Sequence, residues 1–297
     1  GNYGIAIILV TICIRLMFFP LANYSFKSMA KMKVLQPEMA RLKELHKDDK
    51  MKLQQEMMSL YKKEKKSMGT LRKTRDGSIS FVNEDGIVEN DVFVSNNSVS
   101  ALGDVVQSMS IIEDYAYIVV NNSNKIEVVT ADSMKYVSTI DVDFPRYIKQ
   151  VSDDKAYVTT WGTGFGKEVK VLDLNTNTIT GSIECGSGPD AIEVSNGFAY
   201  VCNKGGYSTD STISVIEINS DVVVATIEVE DKPNSITSDA DGNIWALTKG
   251  TTEYDENWAV VPVSPASLVK ISNNSIENKF FFPLGHFPSN LIINDSG

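Results

Sequence analysis

From Ser80 onward the chain repeats three short phrases in one constant order, and that order narrows the possible folds more than any other feature. The first phrase is an apolar strand with an aromatic residue at its centre: Tyr115-Ala116-Tyr117-Ile118-Val119, Ala156-Tyr157-Val158-Thr159, Phe198-Ala199-Tyr200-Val201-Cys202 and Asn243-Ile244-Trp245-Ala246-Leu247. Its aromatics Tyr117, Tyr157, Tyr200 and Trp245 lie 40, 43 and 45 residues apart. A second phrase keeps the same beat at Ile126-Glu127-Val128, Val169-Lys170-Val171, Ile213-Ser214-Val215 and Leu268-Val269-Lys270-Ile271. The third opens on proline, at Pro145, Pro189, Pro233 and Pro288.

A period of about 40–45 residues is that of a four-stranded propeller blade. Apolar and polar residues alternate, and β-branched and aromatic types dominate, as strands require. Turn residues such as Asn175-Thr176-Asn177 and Asp239-Ala240-Asp241-Gly242-Asn243 separate the segments. A β-sandwich could use the same strands but offers no reason for three phrases in fixed order. The expected fold is therefore mainly β: a truncated β-propeller of about five four-stranded blades over residues 80–297.

The Tyr-Val strands, the turn at Val171–Thr178 and the Gly-x-Pro-x-x-Ile pattern at Gly188–Ile192 resemble the YncE-like (YVTN-repeat) propellers. The opening Gly77–Phe81, followed by Leu102–Met109, is similar to surface lipoprotein propellers that serve TonB-dependent outer-membrane transporters, some of which capture cobalamin. That resemblance covers residues 74–297. It implies a seven-bladed relative, a place at the outer cell surface and a ligand of the corrinoid, haem or siderophore kind.

Charge divides the chain. Residues 1–66 hold 13 Lys+Arg and 6 Asp+Glu, a balance of +7, leaving 15 basic and 32 acidic residues beyond, a balance of −17. Such an asymmetry points to different surroundings for the two parts. Residues 3–22 carry a single charge, Arg15, and are long enough to cross a bilayer and meet membrane lipid. No basic stretch precedes this apolar run, unlike a signal peptide. Lys27, Lys31 and Lys33 place its C-terminal end on the cytoplasmic side. Arg15 either snorkels to the interface or faces a polar cavity.

Leu35, Met39, Leu42 and Leu45, then Leu53, Met57 and Leu60, repeat at helical spacing around a Lys47-Asp48-Asp49-Lys50 turn. Two amphipathic helices of this kind pack as an antiparallel hairpin. The Met-rich stripe is either the hairpin seam or a docking surface. The domains read as a transmembrane helix over 1–26, a cytoplasmic hairpin over 27–66, a junction over 67–79 and the propeller over 80–297.

Ile14-Arg15-Leu16, Phe19-Pro20-Leu21, Ser28–Pro37 and Gln54–Lys65 look like the YidC-type membrane insertase. The resemblance implies one core transmembrane helix with its cytoplasmic hairpin, and for Arg15 a place in the insertase groove. After Lys65 the chain departs from that family, and no later stretch is long and apolar enough to span a membrane. The insertase-like part implies the inner membrane while the propeller family faces outward, so the two halves conflict in compartment. A fusion of two unrelated fragments accounts for this, and a membrane-tethered propeller is the rival account.

No nucleophile–base pair can be assembled. The histidines are His46 and His286, Gly162–Gly166 lies between strands with no helix to present N–H groups, and Cys13, Cys185 and Cys202 lack metal-ligand spacing. No enzyme, metal or cofactor is expected, and the acidic propeller argues against nucleic-acid binding. Binding is expected where the loops entering each first strand meet those joining second and third strands. The candidates are Gln107, Asn122, Arg146, Tyr147, Trp161, Phe165, Asn203, Tyr207, Trp258 and His286, aromatic and amide groups suited to a large polar-edged ring. Asp190 and Asn234, in the same loops, read as turn caps. A protein-interaction scaffold is the other reading.

Overall fold

A computed structural model describes residues 77–293, apart from residues 84, 98–100, 163, 257 and 258. The chain divides into two compact units, Gly1–Leu71 and Arg72–Gly297. The expected membrane helix and hairpin, with Arg15, lie outside the described residues, as does Trp258. Among the described residues no helix is long and apolar enough to cross a membrane.

The repeating phrases fold into antiparallel sheets, each strand pairing with the next strand of its own blade. Blade one comprises β3 (Val106–Ile112), β4 (Tyr115–Val120), β5 (Lys125–Thr130) and β6 (Tyr136–Asp141); blade two comprises β7 (Pro145–Gln150), β8 (Lys155–Thr160), β9 (Glu168–Asp173) and β10 (Thr178–Glu184). Blade three is β11 (Pro189–Ser195), β12 (Phe198–Asn203), β13 (Thr212–Glu217) and β14 (Val222–Glu228). Blade four is β15 (Pro233–Ser238), β16 (Ile244–Thr248), β19 (Ser267–Ser272) and β20 (Ser275–Phe281), with a hairpin of β17 (Thr251–Tyr254) and β18 (Val260–Ser264) between β16 and β19. The third phrase forms the inner strands β7, β11 and β15, and the aromatic phrase supplies the second strands.

Successive side chains of a strand point to opposite faces, so each blade buries one set against the blade before it and the other against the blade after. Tyr117 and Val119 of blade one pack with Ile148, Ala156 and Val158 of blade two. Tyr157 and Val169 of blade two meet Ile192, Ala199 and Val201 of blade three, and Tyr200, Cys202 and Ile213 meet Ile236, Ala246 and Val269 of blade four. This explains why the central strands read as near-continuous apolar runs.

Both ends of this array have a substitute for a neighbouring blade. Before blade one come a two-stranded ribbon, β1 (Phe81–Val82) with β2 (Val88–Glu89), and a short helix α1 (Val92–Asn97). Val92 and Phe93 are buried, and Phe93 packs on Ala116, Ile118 and Val129, the face of blade one opposite Tyr117. Asn97 fixes the helix end, its Nδ2 donating to Met134 O at 2.6 Å and its Oδ1 accepting from Tyr136 N at 2.6 Å. After blade four, Asn234 Nδ2 donates to Ser289 O at 2.9 Å and Leu291 N–H to Ser235 Oγ at 3.0 Å. The same kind of stitch joins consecutive inner strands, as where Ser108 Oγ donates to Arg146 O at 2.7 Å. Residues 288–291 thus occupy a fifth inner-strand position, and four complete blades plus this start agree with the expected count of about five.

Candidate functional site

The same corner opens every blade, and it decides where the polar side chains of one end go. The residue before each inner strand adopts a left-handed conformation: Val105 (φ 61°), Phe144 (φ 45°), Gly188 (φ 59°) and Lys232 (φ 58°). Its carbonyl accepts the backbone N–H of the first residue after the second strand. The pairs are Asn121 to Val105 at 2.8 Å, Trp161 to Phe144 at 3.0 Å, Lys204 to Gly188 at 3.0 Å and Lys249 to Lys232 at 3.0 Å. Immediately afterwards the pairing register shifts, between Val106 and Ser108, Pro145 and Ile148, Pro189 and Ile192, and Pro233 and Ser235. A β-bulge of this kind bends the strand and re-aims a side chain. Gln107, Arg146, Asp190 and Asn234 follow the first residue of their strands and lie within those bulges.

Three of these bulge residues form a chain from blade to blade. Arg146 Nη1 donates to Gln107 Oε1 at 2.6 Å and Nε to Asp190 Oδ1 at 3.0 Å. Lys204 Nζ stands 2.9 Å from Asp190 Oδ2. The Asp190 side chain is 1% exposed and that of Arg146 is 11%. A buried carboxylate is tolerable only when paired and hydrogen-bonded, and here two cations satisfy it. The guanidinium is also covered from above, with Arg146 Cζ 4.0 Å from the centroid of the Trp161 ring, a cation–π arrangement. The charge of the cluster, two cations against one carboxylate, is +1.

Aromatic rings extend the site over blade three. Tyr207 meets Trp161 edge-on at 6.0 Å between centroids and Phe165 at 5.9 Å. The two loops carrying them are tied together by Tyr207 N donating to Gly164 O at 3.0 Å, and Gly188 N, in the corner before β11, donates to Gly166 O at 2.8 Å. Gly164 has φ +104°, and a Cβ there would stand 1.9 Å from the Tyr207 ring, so the close approach of loop and ring requires glycine. Trp161 Nε1 and Asn234 Oδ1 are buried without a hydrogen-bond partner, which is unusual for buried polar atoms. Such a site presents the half-buried rings of Trp161, Phe165 and Tyr207 beside a buried guanidinium.

Of the residues expected from sequence, Gln107, Arg146, Trp161, Phe165 and Tyr207 come together here. Asn122 is exposed at the same end and donates to Asp104 Oδ2 at 3.2 Å. Tyr147 does not join: it packs between blades two and three beside Tyr157 and Ile192. The bulge separates it from Arg146, and Thr159 Oγ1 accepts its backbone N–H at 3.1 Å. Asn203 is fully buried and its Nδ2 ties to Thr212 Oγ1 and Ser214 Oγ, both at 2.9 Å, so it closes blade three internally. His286 is exposed and turns back on Pro283 O at 3.1 Å. Asp190, expected as a turn cap, is instead the carboxylate on which the cluster is built, because burial demands cationic partners. Asn234 caps no turn either and holds the backbone of Ser289. Lys204 went unnoticed, although it occupies the same position after its second strand as Trp161. Among the described residues no group of His, Cys, Asp and Glu could hold a metal ion.

Residues 1–71 match the family described as 60Kd inner membrane protein. Over 65 residues they are 86% identical to the membrane protein insertase YidC of Pelagibacter ubique, covering 22% of this chain and 12% of that protein. They are 68% identical to YidC of Nitrobacter hamburgensis over 65 residues, 22% of this chain and 11% of that protein. The chain therefore spans only about an eighth or less of the length of these relatives. Among solved structures, hydrazine synthase of Kuenenia stuttgartiensis superposes with a TM-score of 0.55 at 19% identity, over 71% of this chain and 62% of that one, a likeness of fold alone. The propeller and the insertase-like segment foreseen in the sequence are thus both present, and their family matches meet between residues 71 and 73. Residues 73–284 match the domain of unknown function DUF5074, and by that match the chain belongs to the DUF5074 family.

Proposed function

We propose that the propeller is a non-enzymatic ligand-binding module whose site is the cluster around Arg146 and Trp161. The observation that carries this reading is the guanidinium of Arg146, buried between Gln107 and Asp190 beneath an indole whose N–H is unused. A buried ion pair contributes little net stability compared with an apolar core, so its presence at the converging loops favours recognition over scaffolding. The ring-shaped ligands to try first are those implied by the YncE-like resemblance: a corrinoid such as cobalamin, haem or a siderophore, captured at a cell surface for a TonB-dependent transporter. Catalysis is not part of the proposal. Both thiols of the described residues stay protonated: burial, with Asp190 adding to it, holds Cys202 far above the usual thiol range, and burial pushes Cys185 up to about 12, so both are poor nucleophiles at neutral pH.

Residues 1–65 are proposed as a membrane-associated piece of an insertase fold, joined to an unrelated propeller, with Arg15 a relic of the insertase groove. The protein-interaction reading keeps one observation in its favour. The β17–β18 hairpin exposes Tyr254, Val260, Val261 and Val263, more apolar surface than a ligand loop needs. Thermal-shift measurements on the full chain in detergent with cyanocobalamin, haemin and a ferric siderophore test the choice. A saturable rise in Tm with one of them supports ligand capture. A Tm unmoved by all three, with co-purification of a partner that is lost when Val260 and Val261 become Ser, supports the scaffold.

A further inference from the structure

The two ends of the blade array leave opposite parts of a blade junction uncovered. Met109 pairs with Ile118, on the face of blade one that Phe93 covers. Its counterparts Ile148, Ile192 and Ile236 face the preceding blade and are 2%, 8% and 9% exposed, whereas Met109 is 43% exposed. Ile111, on the same face of β3, is 63% exposed. Helix α1 therefore shields the second and third strands of blade one but not its inner strand.

At the far end the deficit is reversed. Phe280 pairs with Leu268 and takes the place of Ile140, Ile183 and Ile227 in the earlier blades. Those three face the following blade and are 4%, 5% and 7% exposed, whereas Phe280 is 54% exposed. Leu247, on the strand beside β15, stays buried. Residues 288–291 thus shield the inner part of blade four and leave its outer strand bare.

Each end holds the part of a blade that the other lacks. The front has outer elements, α1 and the β1–β2 ribbon, without an inner strand. The back has an inner-strand segment, residues 288–293, without outer elements. The ribbon exposes Phe81, Val82, Ile87 and Val88, and a lone two-stranded hairpin is marginal in water. Among the described residues no hydrogen bond joins residues 288–293 to β1, β2, α1 or β3, so the two ends of one chain do not complete each other.

We propose that a second copy of this chain completes the blade. Residues 288–293 of one copy lie against Met109 and Ile111 of the next, whose β1–β2 ribbon covers Phe280 of the first. The contact continues the apolar junction that the chain already forms between its own successive blades. It joins different surfaces of the two copies, head to tail, and so builds rings or open chains rather than a symmetric pair.

Sedimentation of the full chain in density-matched detergent, over a wide range of concentration, tests this. The parent is expected to gain mass as concentration rises. Met109→Asp spoils the front and Phe280→Asp the back. Each should weaken association by about tenfold, the worth of one buried apolar side chain, with Tm unchanged because both side chains are exposed. An equimolar mixture of the two variants should recover a complex of two chains, since each keeps the end that the other has lost. A parent that stays monomeric at every concentration overturns the proposal. Association that ignores both substitutions, as contacts through residues 1–71 would, overturns it too, and so does a mixture that recovers no pair.

Discussion

Tyr200, on the second strand of blade three, donates its hydroxyl to the side-chain oxygen of Asn274, in the β19–β20 turn of blade four, at 2.6 Å. Tyr117 makes the same bond to Asn177 of blade two at 3.0 Å, and Tyr157 makes it to Asp221 of blade three. All three acceptors sit in left-handed turn positions, with φ of 53°, 55° and 59°, which Asn and Asp tolerate better than most residues. The aromatic residue that marks the period in the sequence is therefore also a clasp between blades. Its burial pushes the tyrosine hydroxyl up and keeps it a donor, most strongly at Tyr157, where Asp221 adds to the effect.

Removing one clasp should loosen one blade junction. Tyr200→Phe keeps the ring and is expected to cost about 1 kcal/mol, and Tyr157→Phe, whose acceptor is the charged Asp221 that keeps its ion pair with Lys155 at 2.7 Å, about 2 kcal/mol. Urea unfolding of the variants measures both. An equal and negligible effect at the two positions would show that ring burial alone holds the blades.

The four corners differ in strain. Val105, a β-branched residue at φ 61° with an exposed side chain, occupies a conformation unfavourable by about 1–2 kcal/mol for L-residues. Val105→Gly is expected to stabilise by about 0.5–1 kcal/mol once the entropy of glycine is counted. Gly188→Ala should do the reverse by more than 2 kcal/mol, since its Cβ would lie 2.0 Å from Gly206 N. Paired denaturation curves check the opposite signs.

Asp239 gives a pH dependence. Burial pushes its carboxyl up, but hydrogen bonds from Trp245 and Asn243 and from the Asn243 and Asp241 backbone outweigh this and leave it below the usual range. Trp245 Nε1 donates to it at 2.9 Å. A depressed folded-state value stabilises above the unfolded value of about 3.9, and this contribution is lost as pH falls through the folded value. Asp239→Asn should therefore unfold with a shallower pH dependence below about pH 4 than the parent chain. Identical acid profiles for the two would contradict the assignment.

Much of the fold was legible because the period repeats in three independent phrases. The converging loops were legible too, since strand order alone puts Gln107, Arg146 and Trp161 at one end. What escaped was register. A bulge after each inner-strand start turns Arg146 toward Gln107 and Asp190 and its neighbour Tyr147 into the core, and no residue type announces a bulge. Helix α1 was missed because six residues are too few for a helical period, and its stability comes from Phe93 packing on Ile118. Asp190 was misjudged because Pro-Asp is a common turn pair, whereas its cationic partners are distant in sequence: Arg146 lies on another blade and Lys204 after the next strand.

Calorimetric titration of the full chain tests the ligand site most directly. The parent is compared with Trp161→Phe, which keeps an aromatic ring but removes the unused N–H, and with Arg146→Gln. One of haemin, a ferric siderophore or cyanocobalamin should bind saturably at one site per chain. Affinity should fall by about fivefold or more in Trp161→Phe, which shrinks the aromatic face and its cover over Arg146, and further in Arg146→Gln. Saturable binding that ignores both substitutions, or no binding by any of the three, would contradict a ligand site at Arg146 and Trp161.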